Sequence, residues 1–398
     1  MINKKGISLI VLSITILVMA ILAATAIISL EDSGIIGRSK NTVTKQNQQE
    51  EYTRLQVIKN GILTDNLGEI TVDEYIAELK KQGMIEDTIK TDAFGNKIAK
   101  TKNGTEIYLG KDGETDIKIA FEPLSGTLGT LIKSAADYGK TVNYEANGVK
   151  DWKIFYHTDQ YVYLIASEKI SKEQLPSSLI NVGASIESST ITLLDNTTRE
   201  VGQLYWWTSP TNYGTIQNSS LWMANFGDYS TNRNGRVVSY LLDETHWTAF
   251  KNTTSSYSTY VVGAIGTPTL EMFVESWNAK RAATNNINLY NKKLSLVKKG
   301  TDGYYINDIT NGESSASNTT QQSITTGDKL YFWDTVDKSG VWLAGASAYT
   351  DTYCLYSINT DGRIVTTAQS GKSYGVRPVV CLRASLPAQK GTTTDFEI

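Results

Sequence analysis

Tyr374-Gly375-Val376-Arg377-Pro378-Val379-Val380-Cys381-Leu382 is the stretch from which the fold of this chain is read. Its β-branched and apolar residues predict a strand that closes a sheet. Three strand-like runs precede it: Lys329-Leu330-Tyr331-Phe332-Trp333, Gly340-Val341-Trp342-Leu343-Ala344, and Tyr353 to Asn359 with a turn at Asp361-Gly362. Four such runs with turn chemistry between them predict a twisted antiparallel sheet.

Working back, Asp151-Trp152-Lys153-Ile154-Phe155-Tyr156 and Tyr161-Val162-Tyr163-Leu164-Ile165 form a hairpin pattern around a polar turn at Thr158-Asp159. Between that hairpin and the closing sheet, residues 267–278 place apolar side chains at 270, 273, 274 and 277 after Pro268, the spacing of an amphipathic helix facing a core. Nearer the N-terminus, Thr71 with Glu74 forms a capping box, and Ile70 can staple onto Tyr75, so a helix runs from there to Gly83. Tyr52, Leu55, Ile58 and Ile62 form a narrow apolar stripe on a preceding charged helix. Asn103-Gly104 and Lys111-Asp112-Gly113 punctuate short alternating runs that read as small hairpins. The polar stretch from Gly126 to Lys140 is the expected boundary.

Residues 7–29, ISLIVLSITILVMAILAATAIIS, carry no charge. As a helix they extend roughly 34 Å, enough for a hydrocarbon core of about 30 Å. Lys4 and Lys5 precede them and Glu31 and Asp32 come after, so the positive-inside bias keeps the short N-terminus in the cytoplasm and exports the rest. Lys4-Lys5-Gly6 before Ile7-Ser8-Leu9-Ile10 resembles the prepilin leader of type IV pilins and pseudopilins. The resemblance implies a prepilin peptidase acting between Gly6 and Ile7, methylation of Ile7, and pilin assembly partners. The family's usual glutamate at the fifth mature position is Val11 here. A buried amine without its carboxylate partner is costly, so Val11 argues against a bulk fibre subunit more than against anchoring.

The tryptophan strand at Trp342, the Gly375-Val376-Arg377-Pro378 run and the Ser/Tyr/Asn/Asp-rich stretch between them resemble the C-type lectin-like fold. Within it they are similar to the formylglycine-generating-enzyme type found in target proteins of diversity-generating retroelements and in surface proteins of Gram-positive bacteria. The resemblance covers residues 142–385. It implies that Trp342, Gly375, Arg377 and Pro378 are scaffold, and that the ligand, a protein or a glycan, meets the segment 345–374. Ser347, Tyr349, Asp351, Tyr353, Asn359 and Asp361 offer aromatic area and adaptable hydrogen bonds there. Leu204-Tyr205-Trp206-Trp207, Trp222-Met223-Ala224 and 234–238 echo Leu330–Trp333, Trp342–Ala344 and 361–365, which would make Asn212, Tyr213, Tyr229 and Asn232 a second polar aromatic surface.

The expected fold class is therefore α+β. Its parts are a leader and transmembrane helix at 1–30, a pilin-like stalk with a small α+β module at 31–120, a linker at 121–141, and a C-type lectin-like binding domain at 142–398.

Composition narrows the chemistry. With 38 basic and 41 acidic residues in 398 there is no basic field to take nucleic acid. The 22 tyrosines and 8 tryptophans suit exposed recognition surfaces. Only His157 and His246 are available as imidazole bases, and neither sits in a catalytic or metal-ligand motif; His157 reads as a solvated turn residue. Ser230–Gly235 imitates a calcium loop but has Leu241 at the twelfth position, so no metal or cofactor is expected. Cys354 and Cys381 allow one disulfide or two free thiols. They are also the only cysteines on which an oxidase of the formylglycine-generating kind could rest. Three function classes are open: a surface adhesin or receptor, a structural pilus or pseudopilus subunit, and that oxidase. The first accounts for most of the residues, and no enzymatic activity is expected.

Overall fold

The computed structural model describes residues 35–175, 184–192, 198–206, 260–285, 290, 293–298, 304–310, 313–314, 321–323, 328, 330–331, 340–346, 354–358, 363–368, 373–391 and 393–398. The chain is α+β with β predominating, and it divides into two units at Leu124/Ser125. Residues 7–29, with the expected cleavage site at Gly6 and Ile7, lie outside the described residues. Among those described, no helix is long and apolar enough to cross a membrane.

In the first unit, α1 (Ile35–Asp65) turns its stripe inward: Leu55 is buried, and Tyr52, Ile58 and Ile62 pack on the same core. The helix ends where Leu67 and Gly68 take positive φ and the Gly68 amide donates to the Leu63 carbonyl at 2.7 Å. Helix α2 (Val72–Lys81) has the expected capping box, with the Glu74 amide donating to Thr71 Oγ1 and the Thr71 amide to the Glu74 carboxylate. Ile70 and Tyr75 are both buried, and the Tyr75 hydroxyl donates to the Leu55 carbonyl at 2.8 Å, joining the two helices. Four strands come next as an antiparallel meander, β1 (Ile85–Thr91), β2 (Lys97–Thr101), β3 (Glu106–Asp112) and β4 (Asp116–Ala120). Gly104 and Gly113, both at positive φ, make its last two turns, a conformation that favours glycine. Lys59 reaches from α1 to Asp116 at 2.8 Å.

The second unit contains, in chain order, β5 (Ser125–Thr127), α3 (Leu128–Leu131), β6 (Thr141–Val142), β7 (Trp152–His157), β8 (Tyr161–Ala166), β9 (Ala184–Thr192), β10 (Thr198–Trp206) and β11 (Val261–Ile265). Then come α4 (Leu270–Thr284), β12 (Lys293–Lys298), β13 (Tyr304–Thr310), β14 (Glu313–Ser314), β15 (Gln321–Ser323) and β16 (Val341–Ala346). It closes with β17 (Cys354–Ile358), β18 (Arg363–Ala368), β19 (Ser373–Gly375), β20 (Val379–Arg383), β21 (Pro387–Lys390) and β22 (Phe396–Glu397). Among the described residues these form an eight-stranded sheet ordered β11-β20-β8-β7-β6-β22-β21-β5. A seven-stranded sheet is ordered β15-β18-β17-β16-β19-β10-β9, and β12-β13-β14 make a small third one.

The stretch expected as a linker at 121–141 is part of this unit from Ser125 onward. Leu128, Leu131, Ile132 and Tyr138 are buried in its core, and β5 pairs with β21. The Asp395 carboxylate accepts from the Thr141 amide at 2.8 Å and hydroxyl at 2.9 Å, so the C-terminal residues close onto the unit's first strands. Local polarity marked this stretch as a boundary because those strands find their partners only some 250 residues later. The hairpin β7–β8 and helix α4 fall where their patterns place them, with Leu270, Phe273, Val274 and Trp277 all buried.

Two strand expectations are corrected. Leu330 and Tyr331 form a turn, not a strand: the Leu330 amide donates to the Asp328 carboxylate at 2.9 Å and both residues are buried. The Tyr331 ring packs edge-on against Phe273 and Trp277, so its apolarity serves the core directly. The closing strand 374–382 is two strands in different sheets, β19 and β20, broken at Val376–Pro378. Pro378 has no amide to continue a ladder. Arg377 there turns its guanidinium inward.

Candidate functional site

The scaffold residues sit where the two large sheets of the second unit meet α4. Arg377 is buried, and its guanidinium donates to the carbonyls of Ala166 (2.7 Å), Leu330 (2.8 Å) and Ser167 (3.0 Å). One fork thus ties the end of β8 to the Leu330 turn and to the chain crossing between sheets. Burial pushes the Arg377 pKa down to about 9, with Asp328 pulling the other way. Burial also raises the Asp328 carboxyl, but its bonds from Lys280, at 2.7 Å, and from the Tyr290 hydroxyl outweigh that and hold it below the usual range. The ion pair is thus hydrogen-bonded on several sides, the condition for burying charge without leaving it unpaired.

Trp342, fully buried on β16, stands edge-on to Tyr374 with ring centroids 4.8 Å apart. Gly375 permits close packing: a Cβ there would lie 2.4 Å from Cδ of Lys169. Pro378 separates β19 from β20 and gives its carbonyl to the Ala166 amide at 3.0 Å. Trp342, Gly375, Arg377 and Pro378 thus form a buried frame for β16, β19 and β20.

The six expected ligand residues Ser347, Tyr349, Asp351, Tyr353, Asn359 and Asp361 lie outside the described residues, but the strands that bracket them are described. Cys354 pairs with Ala368 at one end of β17, and Ile358 pairs with Val341 and Ile364 at the other. Segment 347–353 leaves the first end and segment 359–362 the second. Five strand residues at about 3.3 Å each separate these ends by roughly 17 Å. The chain therefore enters the segment of Ser347, Tyr349, Asp351 and Tyr353 from one strand end and that of Asn359 and Asp361 from the other.

Register extends this division across the sheet. Gln203, Gly375 and Val341 lie at one level, so Thr192 and Thr198, the facing ends of β9 and β10, lie at the same end of the sheet as Ala346. Two strand spacings, about 10 Å, separate β10 from β16 laterally. Residues from 207 onward, including Asn212, Tyr213, Tyr229 and Asn232, start from the opposite end and lie outside the described residues. The internal echo is not carried by the elements that are described: Leu204–Trp206 belong to β10, while Leu330 and Tyr331 form a turn.

Cys381 is a free, fully buried thiol in β20, and burial pushes its pKa up. Cys354 opens β17 in the other large sheet; its side chain lies outside the described residues. His157 is not a solvated turn residue: it ends β7 half-buried, with Nδ1 3.1 Å from the Tyr138 hydroxyl. Burial lowers its pKa against the opposite pull of Asp137 and Asp159. His246 and the loop 230–241 lie outside the described residues. Among those described, no cluster of His, Cys, Asp and Glu is arranged to hold a metal ion.

No family model matches the chain, and no curated protein or solved structure matches it either.

Proposed function

We propose that this chain is a cell-surface ligand-binding protein, an adhesin or receptor, anchored by one N-terminal membrane helix and presenting a C-type lectin-like head outside the cell. The observation that carries the reading is the frame of buried Trp342 and Arg377 with half-buried Tyr374, next to which the segment holding Ser347, Tyr349, Asp351 and Tyr353 begins at the β16–β17 end. Rigid strands bearing an aromatic, hydrogen-bonding segment are the arrangement recognition surfaces use. The charge-free run 7–29 and the Lys4-Lys5-Gly6-Ile7 leader supply the anchor and its processing site. The ligand is a protein or a glycan, held without calcium.

A structural pilin role is the second reading, favoured by α1, whose 31 residues begin a few positions after the apolar run. Val11 weighs against bulk fibre assembly. An oxidase needs a reactive thiolate, and the burial that raises the Cys381 pKa opposes one.

The test displays the full chain on cells and probes them with glycan arrays and with mucin and matrix proteins. Tyr349→Ala/Asp351→Ala/Tyr353→Ala should abolish the binding found and leave the melting temperature unchanged, whereas Asn359→Ala/Asp361→Ala should retain it. Binding that survives the triple substitution, or a triple variant that unfolds, would sink this assignment. The mass of the mature N-terminal peptide tests the anchor: methylated Ile7 is expected, and an intact Met1 would overturn pilin-type processing.

A further inference from the structure

The first unit carries an open groove between α1 and α2. Val57, Gly61 and Asp65 line it from α1, and Glu74, Ala77 and Glu78 from α2. These are the i, i+3 and i+4 rows of two neighbouring helices, so the groove runs along roughly two turns of α1. Its volume is about 600 Å³. Ile58 and Ile62, half-buried on the unit's core, give it an apolar floor. Nothing lies within 4 Å of where a Cβ on Gly61 would stand, so the trough is open above the backbone of α1.

Among the described residues, Val57 and Leu67 are the large apolar side chains left exposed, at 66% and 96%. Val57 lines the groove, and Leu67 directly follows Asn66, another lining residue. Leu67 holds φ at 60° between Asn66 and Gly68. That conformation suits asparagine or glycine and strains a leucine, so the turn does not account for the side chain. Exposed apolar residues beside an apolar trough mark a contact surface. The rim of the trough is acidic. Lys81 is paired with Glu78 at 3.0 Å, Lys80 donates to the Asp87 carbonyl at 2.9 Å, and Lys59 is turned to Asp116. With those three lysines committed, Asp65 and Glu74 have no ion-pair partner among the described residues. The bond from the Thr71 amide holds the Glu74 carboxyl below its usual range and so keeps it charged. A second copy presenting the same rim would bring like charges together, whereas cationic side chains complement it.

We propose that this groove docks an amphipathic helix of another protein, one whose apolar face enters between α1 and α2 and whose flanks carry lysine or arginine. The site belongs to the first unit and is independent of the ligand-binding reading above. The probe is a fluorescent Leu/Lys peptide of about 16 residues with leucines at helical spacing, long enough to fold on the groove. The same peptide with glutamate in place of lysine is the comparison. Fluorescence anisotropy is read on the full chain in detergent, with the signal of empty micelles subtracted. The Leu/Lys peptide should bind with a Kd of about 100 μM or tighter, and the Leu/Glu peptide about ten-fold more weakly or worse. Gly61→Leu fills the groove where a side chain has room, and should weaken Leu/Lys binding by about ten-fold or more without lowering the melting temperature. If Gly61→Leu does not accumulate, Ala77→Leu, also at an exposed position, carries the same expectation. Asp65→Lys should weaken binding and flatten its dependence on salt. Equal binding to the parent and to Gly61→Leu, or equal binding of the two peptides, would overturn the proposal. So would sedimentation showing that the parent self-associates and Gly61→Leu does not, which would make a second copy the occupant.

Discussion

Replacing Arg377 should show that the conservative substitution is the worse one. Arg377→Met leaves the carbonyls of Ala166, Ser167 and Leu330 without their guanidinium donors. Each orphaned buried carbonyl costs about 1–3 kcal/mol, which sets a ceiling of roughly 3–9 kcal/mol. Methionine also removes a charge that is expensive to bury. The fall from 12.5 to about 9 corresponds to ~5 kcal/mol at 1.36 kcal/mol per pH unit. The two effects oppose each other, and the net loss expected for Arg377→Met is at most about 4 kcal/mol. Arg377→Lys keeps the buried charge but offers one nitrogen to carbonyls spaced for a planar fork. It gains none of the relief and still loses donors, so about 3–5 kcal/mol is expected. Urea denaturation monitored by tryptophan fluorescence measures this cleanly, because all 8 tryptophans lie beyond Ser125 and report on the second unit alone. A lysine variant within about 1 kcal/mol of the parent, or one more stable than the methionine variant, would refute the claim that burying the charge is a principal cost.

Two further expectations concern pH and packing. Because the folded-state pKa of His157 is lowered, the folded protein binds that proton less readily than the unfolded chain. Its contribution is then complete above the unfolded value of about 6.5 and is lost as pH falls below it. Melting temperatures between about pH 7.5 and 5 should therefore decline less steeply for His157→Gln than for the parent, and identical slopes would contradict this. Gly340→Ala would put a Cβ 2.5 Å from the Ile358 carbonyl and 2.6 Å from the Tyr374 ring, and backbone cannot yield cheaply. A loss of about 1–3 kcal/mol is expected there. Gly61→Ala in α1 meets nothing within 4 Å and should stabilise the first unit by up to about 1 kcal/mol. Circular dichroism melts that rank the two glycines the other way would show that the clash is absorbed.

The amino-acid sequence by itself determined the features that depend on neighbours in the chain. The Thr71–Glu74 box, the turns at Gly104 and Gly113, the β7–β8 hairpin and the inward stripe of α4 all arise from spacings of a few residues, and each is found at its place. The resemblance implied that Trp342 and Arg377 are scaffold, and both are buried. Tertiary structure alone decided the rest. Leu330–Tyr331 look like strand residues but are needed as a buried turn, because Arg377 takes the Leu330 carbonyl and the aromatic core takes the Tyr331 ring. Residues 125–141 look like a linker until their partners arrive at 384–396, and no local pattern encodes pairing at that range. The ends of β17 at which the chain enters and leaves its ladder are likewise a matter of register. Strand period tells which face a side chain takes, whereas only the assembled ladder tells which end of the sheet a loop leaves.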